Sequence, residues 1–259
     1  MSDAVRPLQL TPVDFDPFAA ADESIALTEP QREMCAATLM GDEANSSYNQ
    51  CFVIRLHGPL VAESLRRALV EVVRRHEALR VAIDLENESQ RVLDDVAVEL
   101  PLLDLGAATA DQREAKIAAL VEHETLTPFD LGTSPLWRAF LVREAPDQHV
   151  FVFTAHHVVV DGWSSAVIFS DLAKAYVADR FGIPPSLPAA ASYRDFVAEQ
   201  RSPAVAAEME AALKFWAAQY AAGVPSFELP LDRQRPAFKT YRAGREVLAI
   251  DKTLYQSVR

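Results

Sequence analysis

Residues 153–169 read FTAHHVVVDGWSSAVIF, and they gather the side chains best suited to moving a proton. His156 and His157 close an apolar run, and Asp161-Gly162 follows four positions after the second histidine. An imidazole with an ordinary pKa of about 6.5 can exchange a proton with a reacting group at neutral pH. Placed well, such a base contributes about 10²–10⁴ in rate. Side chains alternate along a strand, so in a regular strand His156 and His157 face opposite sides and only one can line a given cavity. The other suits a packed polar position whose ring nitrogens are met by partners. On the residues alone, a purely structural reading of both histidines stays open. Opposed side chains make a poor chelate, so no metal is expected. No Gly-x-Ser-x-Gly supplies a hydrolase nucleophile, and Ser164 and Ser165 are accounted for as helix-start residues.

The elements that must hold this stretch follow from patterning. The run HVFVFTAHH is apolar enough to be a strand covered on both faces, paired through the turn-like APDQ with LWRAFLVRE. Asp161 falls at the turn into a helix, where a carboxylate is favoured, and Gly162 permits a close approach or a positive φ. That helix, SSAVIFSDLAKAYVADRF, is expected to take Ser164 as N-cap and to end at Gly182. Upstream, residues 1–25 read as a leader or linker, and TEPQREMCAATLM as a helix capped by Thr28 with Pro30 in its first turn. YNQCFVIRLHG reads as a strand, LVAESLRRALVEVVRRHEAL as a helix, LRVAIDL as a strand and VAVELPLLDL as a weaker one. DQREAKIAALVEHETL, YRDFVAEQRS and AVAAEMEAALKFWAAQYAAG read as helices, VPSFELPLDRQRP as extended, and REVLAIDKTL as a closing strand. Strands and helices interleave, which predicts an α/β or α+β chain with a mixed β-sheet flanked by helices.

Composition narrows the setting. The 259 residues carry a net charge of −12, which argues against nucleic acid or an anionic membrane as partner. Two cysteines form neither a zinc spacing nor a disulfide framework, so a cytoplasmic location is expected. No stretch reaches the roughly 18 apolar residues of a membrane span.

His-His-x-x-x-Asp-Gly, here His156, His157, Asp161 and Gly162, resembles the signature of nonribosomal peptide synthetase condensation domains, within the chloramphenicol-acetyltransferase-like superfamily. Further stretches match in order. LTEPQREMCAATL resembles the first motif, with Glu33 where a basic residue is common, and RRHEALRVAI the second. PFDLGTSPLWRAFLVR resembles the segment before the histidine strand, SYRDFVAEQ the fourth motif, and FWAAQYAAGVPSFELPLDRQRP the helix and crossing that follow.

The resemblance implies a chloramphenicol-acetyltransferase-like lobe, one of two that meet around a tunnel. Residues 26–259 are expected to be the N-terminal lobe with the second lobe absent, and the isolated fragment is expected to be inactive. The implied activity is amide bond formation between a donor acyl thioester and an aminoacyl acceptor. Both are delivered on 4'-phosphopantetheine arms by upstream and downstream carrier proteins within a multi-domain synthetase, with no intrinsic cofactor. His157 is the implied catalytic residue. His156, Asp161, Arg75 and Arg80 support it, Asp161 pairing with Arg75 first or Arg80 second. Gly162, Trp163, Ser164, Tyr48 and Asn49 would lie near substrate or the pantetheine arm, although Trp163 also suits packing. An epimerization domain would read Ser-Trp where Trp163-Ser164 stands, and a heterocyclization domain would replace both histidines with aspartates. A standalone acyltransferase and a non-catalytic member that docks carriers or an oxygenase are the alternatives.

Overall fold

In the computed structural model, which describes residues 24–225, 230–241, 243–244 and 248–258, the chain opens with β1 (Ile25–Ala26) and α1 (Glu29–Thr38). Thr28 caps α1: its hydroxyl accepts from Gln31 N while the Gln31 side chain accepts from Thr28 N, with Pro30 in the first turn. A short α2 (Asp42–Ser46) leads into β2 (Asn49–His57). Next comes α3 (Ala62–Arg75), which buries Leu65, Ala68, Leu69, Val72 and Val73 on one face, and a 3-10 turn over Glu77–Arg80. Then follow β3 (Val81–Asp84), β4 (Ser89–Val92), β5 (Leu102–Asp104), α4 (Ala110–Leu126), β6 (Trp137–Ala145) and β7 (Gln148–His156). Helices α5 (Gly162–Phe181), α6 (Tyr193–Gln200) and α7 (Pro203–Gln219) complete a first unit that runs to Val224. A second unit begins at Pro225 and contains α8 (Lys252–Val258).

Two sheets form rather than one. The smaller, ordered β1-β4-β3, is antiparallel; the larger, β2-β7-β6-β5, is mixed because β5 runs parallel to β6. β7 lies between β2 and β6, with Asn49 opposite His156 and Trp137 opposite Ala155. It is buried from His149 to His156. Val150 and Val152 pack with Ile117 of α4 on one face, while Phe151, Phe153 and Ala155 join the core built with α3 and α5 on the other. Aromatic rings fill that second face. Trp137 stacks on Phe153 at 5.8 Å between centroids, and Phe169 of α5 meets Phe153 and Phe52 edge-on.

Some expectations need correcting. The leader was expected to extend to residue 25, yet Ile25 and Ala26 pair with Gln90 and Ser89 of β4. β1 is only two residues long, and the strand that pairs with it lies some 60 residues away in sequence, whereas β4 also pairs along its length with the adjacent β3. Of the closing strand expected over 245–254, residues 245–247 lie outside the described residues, 248–251 form no strand, and Lys252–Leu254 open α8. Residues 226–229 of the expected extended segment also lie outside the described residues. Among the described residues no helix is long and apolar enough to cross a membrane.

Because Phe153 is fully buried between Trp137, Phe151 and Phe169, Phe153→Ala should cost about 3–5 kcal/mol of stability, read as a lowered denaturant midpoint.

Candidate active site

β7 ends at His156, and His157 is the first residue beyond it, still held to β2 by a backbone hydrogen bond from its N–H to Tyr48 O (2.9 Å). Burial separates the pair: His156 is fully buried and His157 half-buried. The His156 ring lies 5.8 Å from Tyr48 and meets Phe129 edge-on at 6.3 Å. Its Nδ1 accepts from Val158 N at 3.2 Å, so Nε2 carries the hydrogen of the neutral ring. Nε2 makes no well-formed hydrogen bond among the described residues, although the Asn45 carbonyl lies close enough to favour its proton. Burial dominates, and with the neighbouring His157 it pushes the His156 pKa down to about 4. His156 is therefore a neutral core residue at neutral pH.

His157 is arranged differently. Its Nδ1 sits 2.9 Å from Val160 O, and a carbonyl only accepts, so Nδ1 carries the hydrogen. Nε2 of the neutral ring then holds a lone pair, the arrangement of a group ready to accept a proton.

Asp161 takes the cap expected of Ser164. It is the N-cap of α5, and its carboxylate accepts from Ser164 N (2.7 Å) and Ser164 Oγ (2.6 Å). The Ser164 hydroxyl, then backbone N–H groups and the nearby His157, hold the Asp161 carboxyl below the usual range. Asp161 is exposed, and its expected ion pair with Arg75 or Arg80 does not form. Arg75 instead pairs with Asp171 of α5 at 3.0 Å and reaches the Pro188 carbonyl, while His76 Nε2 meets the same Asp171 oxygen at 3.0 Å. Asp171 is the buried carboxylate that needed a cation; Asp161, hydrogen-bonded and in solvent, does not. Arg80 donates to the carbonyls of Val73, Arg74, Leu93 and Asp94, closing the end of α3.

Gly162 does not have a positive φ, and a Cβ there would meet nothing within 4 Å. Trp163 is 83% exposed, so it does not pack against the core. Tyr48 is half-buried beside His156. Asn49 does not face open space: its amide donates to the carbonyls of Thr125 (3.0 Å) and Thr127 (2.8 Å), with Glu124 O at 3.4 Å, and so closes the end of α4.

The sequence reading missed the polar bed under His156. Arg138 of β6 pairs with the buried Glu124 at 2.6 Å, donates to Thr127 O, and lays its guanidinium 3.9 Å over the Phe129 ring. Asn45 grips the Phe129 backbone at both its N–H and its carbonyl. The Arg in PLWRAFL was visible, but its partner fourteen residues back was not. A groove of about 430 Å³ also lies between β2 and α5, lined by Ile54, Leu56, Phe151, Phe169, Leu172 and Tyr176. Its floor at Phe151 is five residues before His156, about 17 Å along the strand, so it is separate from the histidine loop. Among the described residues no group of three or more His, Cys, Asp or Glu could hold a metal ion.

Comparison with known proteins places this geometry. The condensation-domain family model matches residues 21–259. The chain belongs to the condensation domain family. As a condensation domain of nonribosomal peptide synthetase type, it is 35% identical to chondramide synthase cmdD of Chondromyces crocatus over 82% of the chain, which spans 6% of that synthase. Its fold is similar to the X-domain in a complex of the X-domain and OxyB from teicoplanin biosynthesis, with TM-score 0.71, 28% identity, and coverage of 93% of this chain and 51% of that one. It is also similar to a doubly substituted mutant of the starter condensation domain of the rhizomide synthetase, with TM-score 0.67, 25% identity, and coverage of 76% of this chain and 48% of that one. The chain thus spans a few per cent of the synthase and about half the length of these solved domains.

Two outcomes are expected of this condensation domain. The folded His156 has a pKa below its unfolded value, so the unfolded state binds more protons between about pH 4 and 6.5 and stability falls as pH drops through that window. Acidification from pH 7.5 to 5 should cost about 2 kcal/mol through His156, and His156→Leu should flatten that part of the profile in denaturant titrations. Arg138→Met leaves Glu124 buried without its cation and should cost about 3–5 kcal/mol, measured the same way.

Proposed function

We propose that this domain forms an amide bond between a donor acyl or peptidyl thioester and the amine of an aminoacyl thioester, in nonribosomal peptide or hybrid polyketide-peptide biosynthesis. Upstream and downstream carrier proteins of the same assembly deliver both substrates on 4'-phosphopantetheine arms, and adjacent synthetase domains are its neighbours. The observation that supports this reading is the His157 tautomer: Val160 O holds the Nδ1 hydrogen and leaves Nε2 with its lone pair in a half-buried position. The acceptor nitrogen attacks the donor carbonyl carbon, the carbon–sulfur bond breaks, and the nitrogen's proton passes to His157 Nε2 and on to the departing thiolate. His157 also orients the amine. Gly162, whose Cβ position faces open space, leaves room beside the helix start for an arm or an amine. Trp163 and Ser164 lie at that same helix start, and Tyr48 holds the backbone of His157.

A second reading is a member that docks a partner protein without turnover, favoured by the likeness to an X-domain solved with OxyB. One experiment separates the two. In a complete synthetase carrying this segment, His157→Ala should lower product formation by about 10²-fold or more. Unchanged turnover would remove His157 from the chemistry, and absence of turnover in the unsubstituted synthetase, with partner binding kept in both proteins, would favour docking.

A further inference from the structure

The loop that carries His157 is tied to the rest of the fold by a side chain far from it in sequence. Gln31, at the start of α1, donates from Nε2 to Val158 O at 3.2 Å, one residue beyond His157. The same amide is locked in every direction. Nε2 also donates to Gln90 Oε1 (2.9 Å), and Oε1 accepts from Gln90 Nε2 (2.8 Å) and from Thr28 N (3.0 Å). Gln90 in turn donates to Ala26 O at 3.1 Å. The Tyr193 hydroxyl at the start of α6 lies beside both glutamine side chains.

The orientation of the Gln31 amide follows from backbone chemistry. Thr28 N–H must meet an oxygen and Val158 O must meet an N–H, so the amide cannot flip without losing both. Gln31 is 3% exposed and Gln90 fully buried, so no water replaces a lost partner and each missing bond leaves a desolvated polar group. Val158, Val159 and Val160 are themselves buried. Val158 O is therefore held from the side of α1, while the His157 ring is held by Val160 O two residues further on.

We propose that Gln31, braced by Gln90, is a positioning residue for His157: its hydrogen bond to Val158 O sets the turn that brings Val160 O onto His157 Nδ1 and so selects the tautomer with a free Nε2. Gln31 acts through the loop and touches no reacting atom. The importance of this tautomer rests on the proposed role of His157, but the test reads the ring and not turnover, so either idea can fail without the other.

The test is ¹⁵N NMR of the histidine rings in the 259-residue chain, with His157 assigned by loss of its signals in His157→Gln. In the unsubstituted chain the two nitrogens of neutral His157 should give widely separated signals, with the hydrogen on Nδ1. Gln31→Met, close in volume but without donor or acceptor, should collapse that separation toward an average of two tautomers while the amide spectrum of β2, β6 and β7 persists. Gln31→Asn keeps an amide but withdraws it by one methylene, and should give the same collapse. Thr28→Ala removes the capping hydroxyl and leaves the bond to Val158 O, so its His157 signals should stay separated. Unchanged His157 signals in both Gln31 variants, or equal collapse in Thr28→Ala, would overturn the proposal. Loss of the fold in both Gln31 variants would assign Gln31 to stability alone and overturn it as well.

Discussion

Burial of β7 on both faces is the constraint from which the rest of this site follows. A strand with α4 on one side and the α3–α5 core on the other leaves no water for the polar groups at its end. His156 meets that condition by staying neutral, and its Nδ1 serves a backbone N–H in the following turn. His157, one residue later, escapes the strand and keeps one nitrogen bound and one open. The doubled histidine thus performs two opposite tasks because the strand ends between them.

The same constraint shapes the surroundings. Glu124, Arg138, Gln31, Gln90 and Asp171 are polar or charged groups in largely dry positions, and each has partners with good geometry. Such arrangements are costly to desolvate and add less stability than apolar packing of the same volume. What they contribute is register. Arg138 and Asn49 close the end of α4 against the start of β2, so the residue that receives the His157 N–H is fixed by the helix beside it. Glu77, just past α3, accepts from Tyr193 N, Arg194 N and Ser192 Oγ, and so seats α6. Arg75 and His76 hold α5 through Asp171. The motifs that resemble the family's first, second and fourth serve here as a frame around the histidine loop.

Much of this was legible without coordinates where the determinants are local. The Thr28 cap with Pro30 in the first turn, the alternation in the β2, β6 and β7 segments, and the Gly182 stop in the left-handed region all depend on neighbours within a few residues. The exception is instructive. Asp161 was expected to reach a distant arginine, but Ser164 N–H lies three residues away at the start of α5, and the local cap wins because it fixes far less chain. The same competition moved the cap from Ser164 to Asp161.

The amino-acid sequence by itself determined the doubled-histidine motif, its place at a strand end and the family it marks. Periodicity, capping and strand alternation are short-range and survive in one dimension. Only the tertiary structure decided the partners: Asp171 rather than Asp161 for Arg75, Glu124 for Arg138, Gln90 for Gln31, and the Val160 carbonyl that sets the His157 tautomer. Apart from that last bond, these contacts join residues between 14 and 96 positions apart, and many pairings are chemically equivalent at such separations. Packing selects one of them because burial leaves each polar group no alternative partner.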